Sequence, residues 1–491
     1  MSRFPYRYIV AVAFLFGLFM DLMDLTIVNV ALPTLGREFN IGHSTLEWIV
    51  TGYLLSLAVW IPASGWIGDK VGTKKTFIFA LAAFCVGSAL CGFAQGGEQL
   101  VAFRIIQGIG GGMMTPVGTA MLFRAFPPAE RARAALILTI PTVVAPAVGP
   151  VLGGYLVDYV NWRWIFFVNL PIGVVGLVFS ALFLEEHTEP TAGGFDLPGF
   201  ALSASGLALV LYSLSRGPEA GWGTLEVLGT GIVGVVAFAA LIWVELHTAQ
   251  PMLDLRLYKD RMFRSASIVF FIASASLIGA FFLLTLFLQE LRGLSAIQTG
   301  LILLPQAVTV VMFAQVSGRL YPKVGPKRLL AFALLLFAIS SGVMVWVDID
   351  TPIWMIIGIL CLRGVAMAFT FIPLQAAAFA RIAPPSIGRA SSLFNTDRQV
   401  GSSIGVALLA TVLSERLIAH APQTAAIAAA KAGATPALAK AAAVQASVSA
   451  FHEAFLAAFV LALVGVVLTL LIHDEDAAST LHAPASAAVA E

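Results

Sequence analysis

The chain has 491 residues, of which 59% are hydrophobic and only 11% charged, whereas globular domains carry roughly 25% charged residues. That apolar content exceeds what a soluble core under a polar skin can use, and at ~20 residues per crossing it would supply up to about fourteen bilayer spans. With 28 Lys and Arg against 27 Asp and Glu, no net field points to nucleic acid; a soluble enzyme, a secreted disulfide scaffold and a nucleic-acid-binding domain are excluded.

Apolar runs bounded by charged residues or by Pro and Gly predict spans 1 to 6 at 8–32, 46–67, 76–95, 100–123, 134–157 and 163–184. Arg3 and Arg7 precede the first run in the manner of a signal peptide. The run nevertheless continues through Asp21 and Asp24 to Pro33 with no small-residue cleavage site, so it reads as a retained first span. A polar stretch, Glu185 to Pro190, separates the sixth run from spans 7 and 8 at 197–214 and 224–245. After the charged stretch Asp254 to Arg264, spans 9 to 14 follow at 265–288, 297–318, 328–347, 353–376, 393–414 and 453–472. The Ala-rich segment 417–450 is interrupted and reads as a loop, either with short helices or disordered. The acidic, low-complexity tail after His473 reads as disordered. Cys85, Cys91 and Cys361 lie inside apolar runs and form neither a disulfide framework nor a metal set.

With the N-terminus inside, eighteen Lys and Arg fall on the cytoplasmic side and seven opposite, Arg104, Arg363 and Arg398 lying within or at the edge of spans. This bias predicts cytoplasmic termini in a cell membrane. Three units result: a six-helix bundle at 1–188, a two-helix insert at 189–262 and a second bundle at 263–474, with a tail at 475–491. The bundles share a repeat. Gly65, Lys70, Val71, Gly72 and Lys74 recur as Gly318, Lys323, Val324, Gly325 and Lys327, 253 residues on, and Pro116, Arg124, Pro127 and Pro128 recur as Pro373, Arg381, Pro384 and Pro385, 257 residues on. A parallel repeat predicts two bundles related by an axis along the membrane normal, with cargo bound between them near the midplane.

Four constellations carry the chemistry. In span 1, Asp24-Leu-Thr-Ile-Val-Asn-Val-Ala-Leu-Pro33 places a carboxylate ~13 Å inside the end marked by Pro33. An acid at that depth costs at least ~2.5 kcal/mol and is a functional candidate by default. Low dielectric favours the neutral form of a carboxyl, which suits proton binding and release, and Asp21 shares its face. In span 4, Arg104-Ile-Ile-Gln107-Gly-Ile-Gly-Gly-Gly buries a guanidinium that cannot deprotonate and needs an acceptor, with Asp24 in reach. In span 5, Ala145, Gly149 and Gly153 form a smooth stripe for close helix approach, with Pro150 bending the helix and Gly154 beside it. Between spans 2 and 3, Gly65, Asp69, Lys70, Gly72, Lys74 and Lys75 form a turn whose acid is expected to latch onto Arg131 or Arg133. Asp397 and Arg398 are expected to pair, as are Glu290 and Arg292. Trp48, Tyr53, Trp60, Gln107, Phe281, Phe282 and Phe369 are candidates for lining an apolar cavity, although aromatics at helical spacing more often simply pack.

These four motifs resemble the major facilitator superfamily, in particular its fourteen-helix drug:proton antiporters of the EmrB/QacA type, over nearly the whole chain. The resemblance implies an all-α polytopic fold of two six-helix bundles plus two inserted helices. It also implies alternating-access export of small amphipathic compounds by a monomer that is not an enzyme and uses the proton gradient in place of a cofactor. Asp24 and Arg104 would couple the proton, with Asp21 an addition to the family pattern; the span-5 motif would mark an exporter; Gly65 to Lys75 would form the cytoplasmic gate. Ala145 stands where the family has Gly. An accessory periplasmic or outer-membrane partner is compatible with this reading. An exporter dedicated to an endogenous metabolite, lipid or antibiotic remains an alternative. So does a non-transporting sensor or scaffold.

Overall fold

The structure, a computed structural model, describes residues 5–41, 43–430 and 436–481. Arg3, Lys431 and residues 482–491 lie outside them. The described residues contain helices and no strand, and fourteen of the helices are long and apolar enough to cross a membrane. Spans 1 to 6 are Tyr6–Phe39, Thr45–Val71, Thr73–Phe93, Gly97–Ala125, Pro128–Tyr159 and Trp164–Phe183. Spans 7 and 8 are Leu197–Ala220 and Leu225–His247, and spans 9 to 12 are Arg261–Leu291, Ala296–Val324, Pro326–Trp346 and Ile353–Ala378. Spans 13 and 14 are the apolar parts, Pro384–His420 and Ala443–Leu471, of longer helices.

The repeat is visible in the packing. Span 4 packs on spans 2 and 3, and span 1 on span 5; eight spans later, span 12 packs on spans 10 and 11, and span 9 on span 13. The contacts between bundles obey the same symmetry, with span 5 against span 10 and span 2 against span 13. The loops agree as well. Gly72 and Gly325, one repeat apart, adopt φ of 114° and 84°, a region that favours glycine. Beside each, a carboxylate caps the next helix: Glu186 accepts from the backbone N of Lys74 at 3.0 Å, and Asp474 from that of Lys327 at 2.9 Å. Both acids offset the positive end of a helix dipole.

Span 7 packs on spans 2 and 13 and so touches both bundles, with span 8 against it. Ile232, Val235 and Trp243 of span 8 are exposed, an apolar face in keeping with lipid contact.

Two sequence expectations change. In its described residues the Ala-rich segment is neither short helices nor a disordered loop but part of two long helices, Ile387–Ala430 and Pro436–Leu468. Ala is the best helix former, so the flanking helices propagate into it. The first part of the tail is not disordered either. Asp476 pairs with Arg381 at 2.8 Å, Thr480 is buried and hydrogen-bonds Tyr321 at 2.7 Å, and Ala478–Leu481 packs on the Pro128–Glu130 turn of the first bundle. Its acids met the basic loops that the composition alone could not place beside them.

Spans alternate in direction and are even in number, so both ends of the described chain lie on one face. That face also carries Lys70, Lys74, Arg124, Lys323 and Lys327 and is termed the basic face below.

Candidate functional site

Asp24 is fully buried, and so is Arg104. An ionised pair at this depth is tolerable only if its remaining donors and acceptors are satisfied, and here they are. The Arg104 guanidinium forms an ion pair with Asp24. It also donates to Gln107 Oε1 at 2.8 Å and to the Ile49 carbonyl at 3.2 Å. Gln107 Nε2 in turn donates to Asp24 at 2.9 Å, and Asn169 Nδ2 approaches the same oxygen at 3.5 Å. Gln107 therefore belongs to the Asp24–Arg104 cluster and not to the cavity wall, where the sequence had placed it. Asn169 was missed, although a lone amide within the apolar run of span 6 is itself a signal.

Asp21 sits one turn away with a different set of partners. The Tyr53 hydroxyl donates to it at 2.6 Å and Thr115 at 3.1 Å. Arg104 lies over the Tyr53 ring, 4.0 Å from its centroid, a cation–π contact. Tyr53 thereby joins the two acids into one polar cluster.

Thr115 also borders a cavity of about 70 Å³ between the bundles. Its walls are stripes at i, i+4 spacing: Phe14, Leu18 and Leu22 of span 1, Thr115 and Thr119 of span 4, Leu138 and Thr142 of span 5, Phe270, Ser274 and Ile278 of span 9, Phe371 and Gln375 of span 12, and Phe394, Arg398 and Ser402 of span 13 with Asn395. This volume admits a few waters, far below the ~300 Å³ of a small drug pocket, so a bulky cargo requires the bundles to part. The expected cavity residues lie elsewhere. Trp48 stacks on Tyr212 and Trp60 packs on Phe200, both rings of span 7; Phe369 meets Phe332, and Phe281 and Phe282 pack against the core. Aromatic spacing in the sequence did not report which face turns inward.

The span-5 stripe faces protein. A Cβ on Gly149 would collide with Thr26, and one on Gly153 would lie 2.8 Å from Ile27 Cγ1 and 3.0 Å from its carbonyl oxygen; Ala145 is buried. The stripe thus holds span 1 just beyond Asp24. The other face reaches the second bundle, where Gly154 abuts Ile297 and Pro150 meets Gly300.

At the basic face the bundles are closed against each other. Gly65 N donates to Ser392 Oγ at 2.8 Å, Ser391 Oγ to the Pro116 carbonyl at 2.7 Å, and Phe123 stacks on Phe379 at 4.4 Å. The latch differs from the expectation. Asp69 pairs with Arg124 at 2.5 Å, and its carboxylate lies against Gly388 at the start of span 13. Arg131 instead donates to the Phe379 carbonyl, and Arg133 is exposed beside Glu130 at 3.5 Å. Arg124 lies in the last turn of span 4, whereas Arg131 and Arg133 open span 5. Lys70 and Lys75 are exposed at this turn, and the half-buried Lys74 donates from Nζ to the Ala181 carbonyl at 2.8 Å. Neither of the other expected pairs forms: Asp397 accepts from the Tyr258 hydroxyl at 2.7 Å and not from Arg398, and among the described residues no ion pair joins Glu290 to Arg292.

This architecture has known counterparts. The family model for the Major Facilitator Superfamily matches residues 14–406. The chain belongs to the major facilitator superfamily. Its relatives include the multidrug export protein EmrB of Escherichia coli K12, 32% identical over 422 residues that cover 84% of this chain and 82% of that protein. A multidrug resistance protein B homolog of Mycobacterium tuberculosis is 34% identical over 399 residues, covering 80% and 73%. Among solved structures, the human organic anion transporter MFSD10 (TETRAN) superposes with a TM-score of 0.65 at 17% identity, covering 94% of this chain and all of that one. That likeness concerns the fold alone. As a facilitator, the chain is a multi-pass membrane transporter of small molecules.

Proposed function

We propose that this facilitator is a proton-coupled antiporter that exports small amphipathic compounds across the cell membrane by alternating access, with its basic face in the cytoplasm. The orientation follows the excess of Lys and Arg on that face. Multidrug export by the Escherichia coli relative supports the direction, and multidrug handling in both relatives supports the breadth of cargo.

The observation that carries the coupling is the buried Asp24–Arg104 pair with its amide supports. Protonation of Asp24 removes the negative partner of Arg104, whose guanidinium retains Gln107, the Ile49 carbonyl and the Tyr53 ring. The contact between spans 1 and 4 is weakened at that moment. Span 1 touches the span-5 stripe at Thr26 and Ile27, and the opposite face of span 5 touches span 10. Proton occupancy in one bundle is thereby connected through packed helices to the interface with the other. Proton and cargo then favour opposite arrangements, which is the thermodynamic requirement for exchange.

The test is transport by the purified protein in liposomes under an imposed pH gradient, with a panel of cationic, neutral and anionic compounds. Accumulation that follows the gradient and collapses with a protonophore is expected. Transport indifferent to the gradient would refute proton coupling.

A further inference from the structure

The central cavity has an asymmetric charge. Arg398 is the one charged residue on its wall, and among the described residues no carboxylate pairs with it. Its sequence neighbour Asp397 is held by the Tyr258 hydroxyl at 2.7 and 2.8 Å. Asp21 is the acid that acts electrostatically on Arg398, but it is not among the residues of the cavity wall, and Tyr53 and Thr115 donate to its oxygens. Asp24 lies behind Arg104. A cationic head entering this space therefore meets a guanidinium and no carboxylate on the wall, whereas an anionic head meets a planar donor fork suited to carboxylate geometry. Beside Arg398, Phe394 and Phe270 stack at 4.2 Å and offer ring surface to an apolar body.

We propose that Arg398 is the specificity-determining residue of the cavity, and that the preferred cargo is an amphipathic acid: an aromatic body bearing one compact anionic head. This assignment rests on the export reading above and narrows it to a substrate class. The head binds the guanidinium in the middle of the span-13 stripe, and the body lies along Phe394 and Phe270. The separated bundles supply the volume that the closed arrangement lacks.

Three compounds sharing one aryl body, with a carboxylate, a carboxamide or an ammonium head, provide the test. Their uptake into proteoliposomes under a pH gradient is measured after subtraction of protein-free vesicles. The wild type is expected to favour the carboxylate over the carboxamide by roughly tenfold or more in half-saturation, the scale of one charge-assisted hydrogen bond, and to handle the ammonium compound worst. Arg398→Gln should erase the acid-over-amide ratio while still moving the amide, and Arg398→Lys should restore part of it. A wild type that prefers the ammonium compound, or an Arg398→Gln protein with an unchanged ratio, would overturn the assignment. If none of the three moves with the gradient, the export reading fails instead. Thermal-shift titration of the same compounds against the detergent-solubilised protein then decides Arg398 by the same ratio, and it serves equally for a variant that folds but does not turn over.

Discussion

At the residue scale, the function turns on how few buried charges the spans contain and how each is compensated. Asp24 and Arg104 satisfy one another, so removing either strands its partner, at a general cost of about 3–5 kcal/mol for a buried pair. Asp24→Asn and Arg104→Met should each lower the melting temperature in detergent, and the double variant should recover most of the loss. A cycle in which the two effects simply add would show that the pair is not a coupled unit. Removal of the Asp69 charge makes a similar comparison at the basic face. Arg124→Gln should impair transport as Asp69→Asn does, whereas Arg133→Gln, at an exposed site, should change stability by less than about 0.5 kcal/mol. Equal defects in the Arg124 and Arg133 variants would return the latch to span 5. The acids and Arg104 were legible in the sequence because a charge inside an apolar run is conspicuous. Their uncharged partners, Tyr53, Thr115 and Asn169, were not assigned to them, since pairing across helices depends on rotations that no single run records.

At the element scale, the fourteen spans were read almost where they lie, because hydropathy over twenty residues averages out local ambiguity. Helix faces were harder. The hydrophobicity of these spans runs all the way round, so periodicity did not separate cavity, core and lipid, and the aromatic candidates fell into packing positions. The span-5 stripe was the exception, because small residues at fixed spacing mark close approach directly. Gly153→Leu should drive a branched side chain into Ile27, lowering thermal stability and abolishing export. A Gly153→Leu protein with wild-type stability and transport would show that span 1 does not need that contact. The tail gives a second case. Asp474 caps span 11, and a lost cap costs about 1 kcal/mol. Asp474→Ala should therefore destabilise the protein measurably, while truncation after Arg381's partner Asp476 should also release Thr480 from Tyr321 and lower the melting temperature further. No change on truncation would mean that residues 477–481 contribute nothing to packing.

At the scale of the whole molecule, two bundles with matching internal contacts meet along spans 5 and 10 and spans 2 and 13. They are closed at the basic face and surround a small cavity, and the buried Asp21, Asp24 and Arg104 cluster beside it lies in the first bundle. That division was foreshadowed by the repeat, in which the second copy of the loop motif carries Pro322 where Asp69 stands and span 9 contains no acid opposite Asp24. One bundle holds the buried Asp24–Arg104 pair and the other contributes Arg398 to the cavity. The central claim is that Asp24 links the proton to the conformational cycle without being needed for the cycle itself. The most direct measurement compares wild type and Asp24→Asn in the same proteoliposomes, first for accumulation driven by a pH gradient and then for exchange of labelled against unlabelled cargo with no gradient. The account predicts that the variant loses accumulation entirely and keeps exchange at a measurable rate; accumulation by Asp24→Asn at the wild-type level would contradict it.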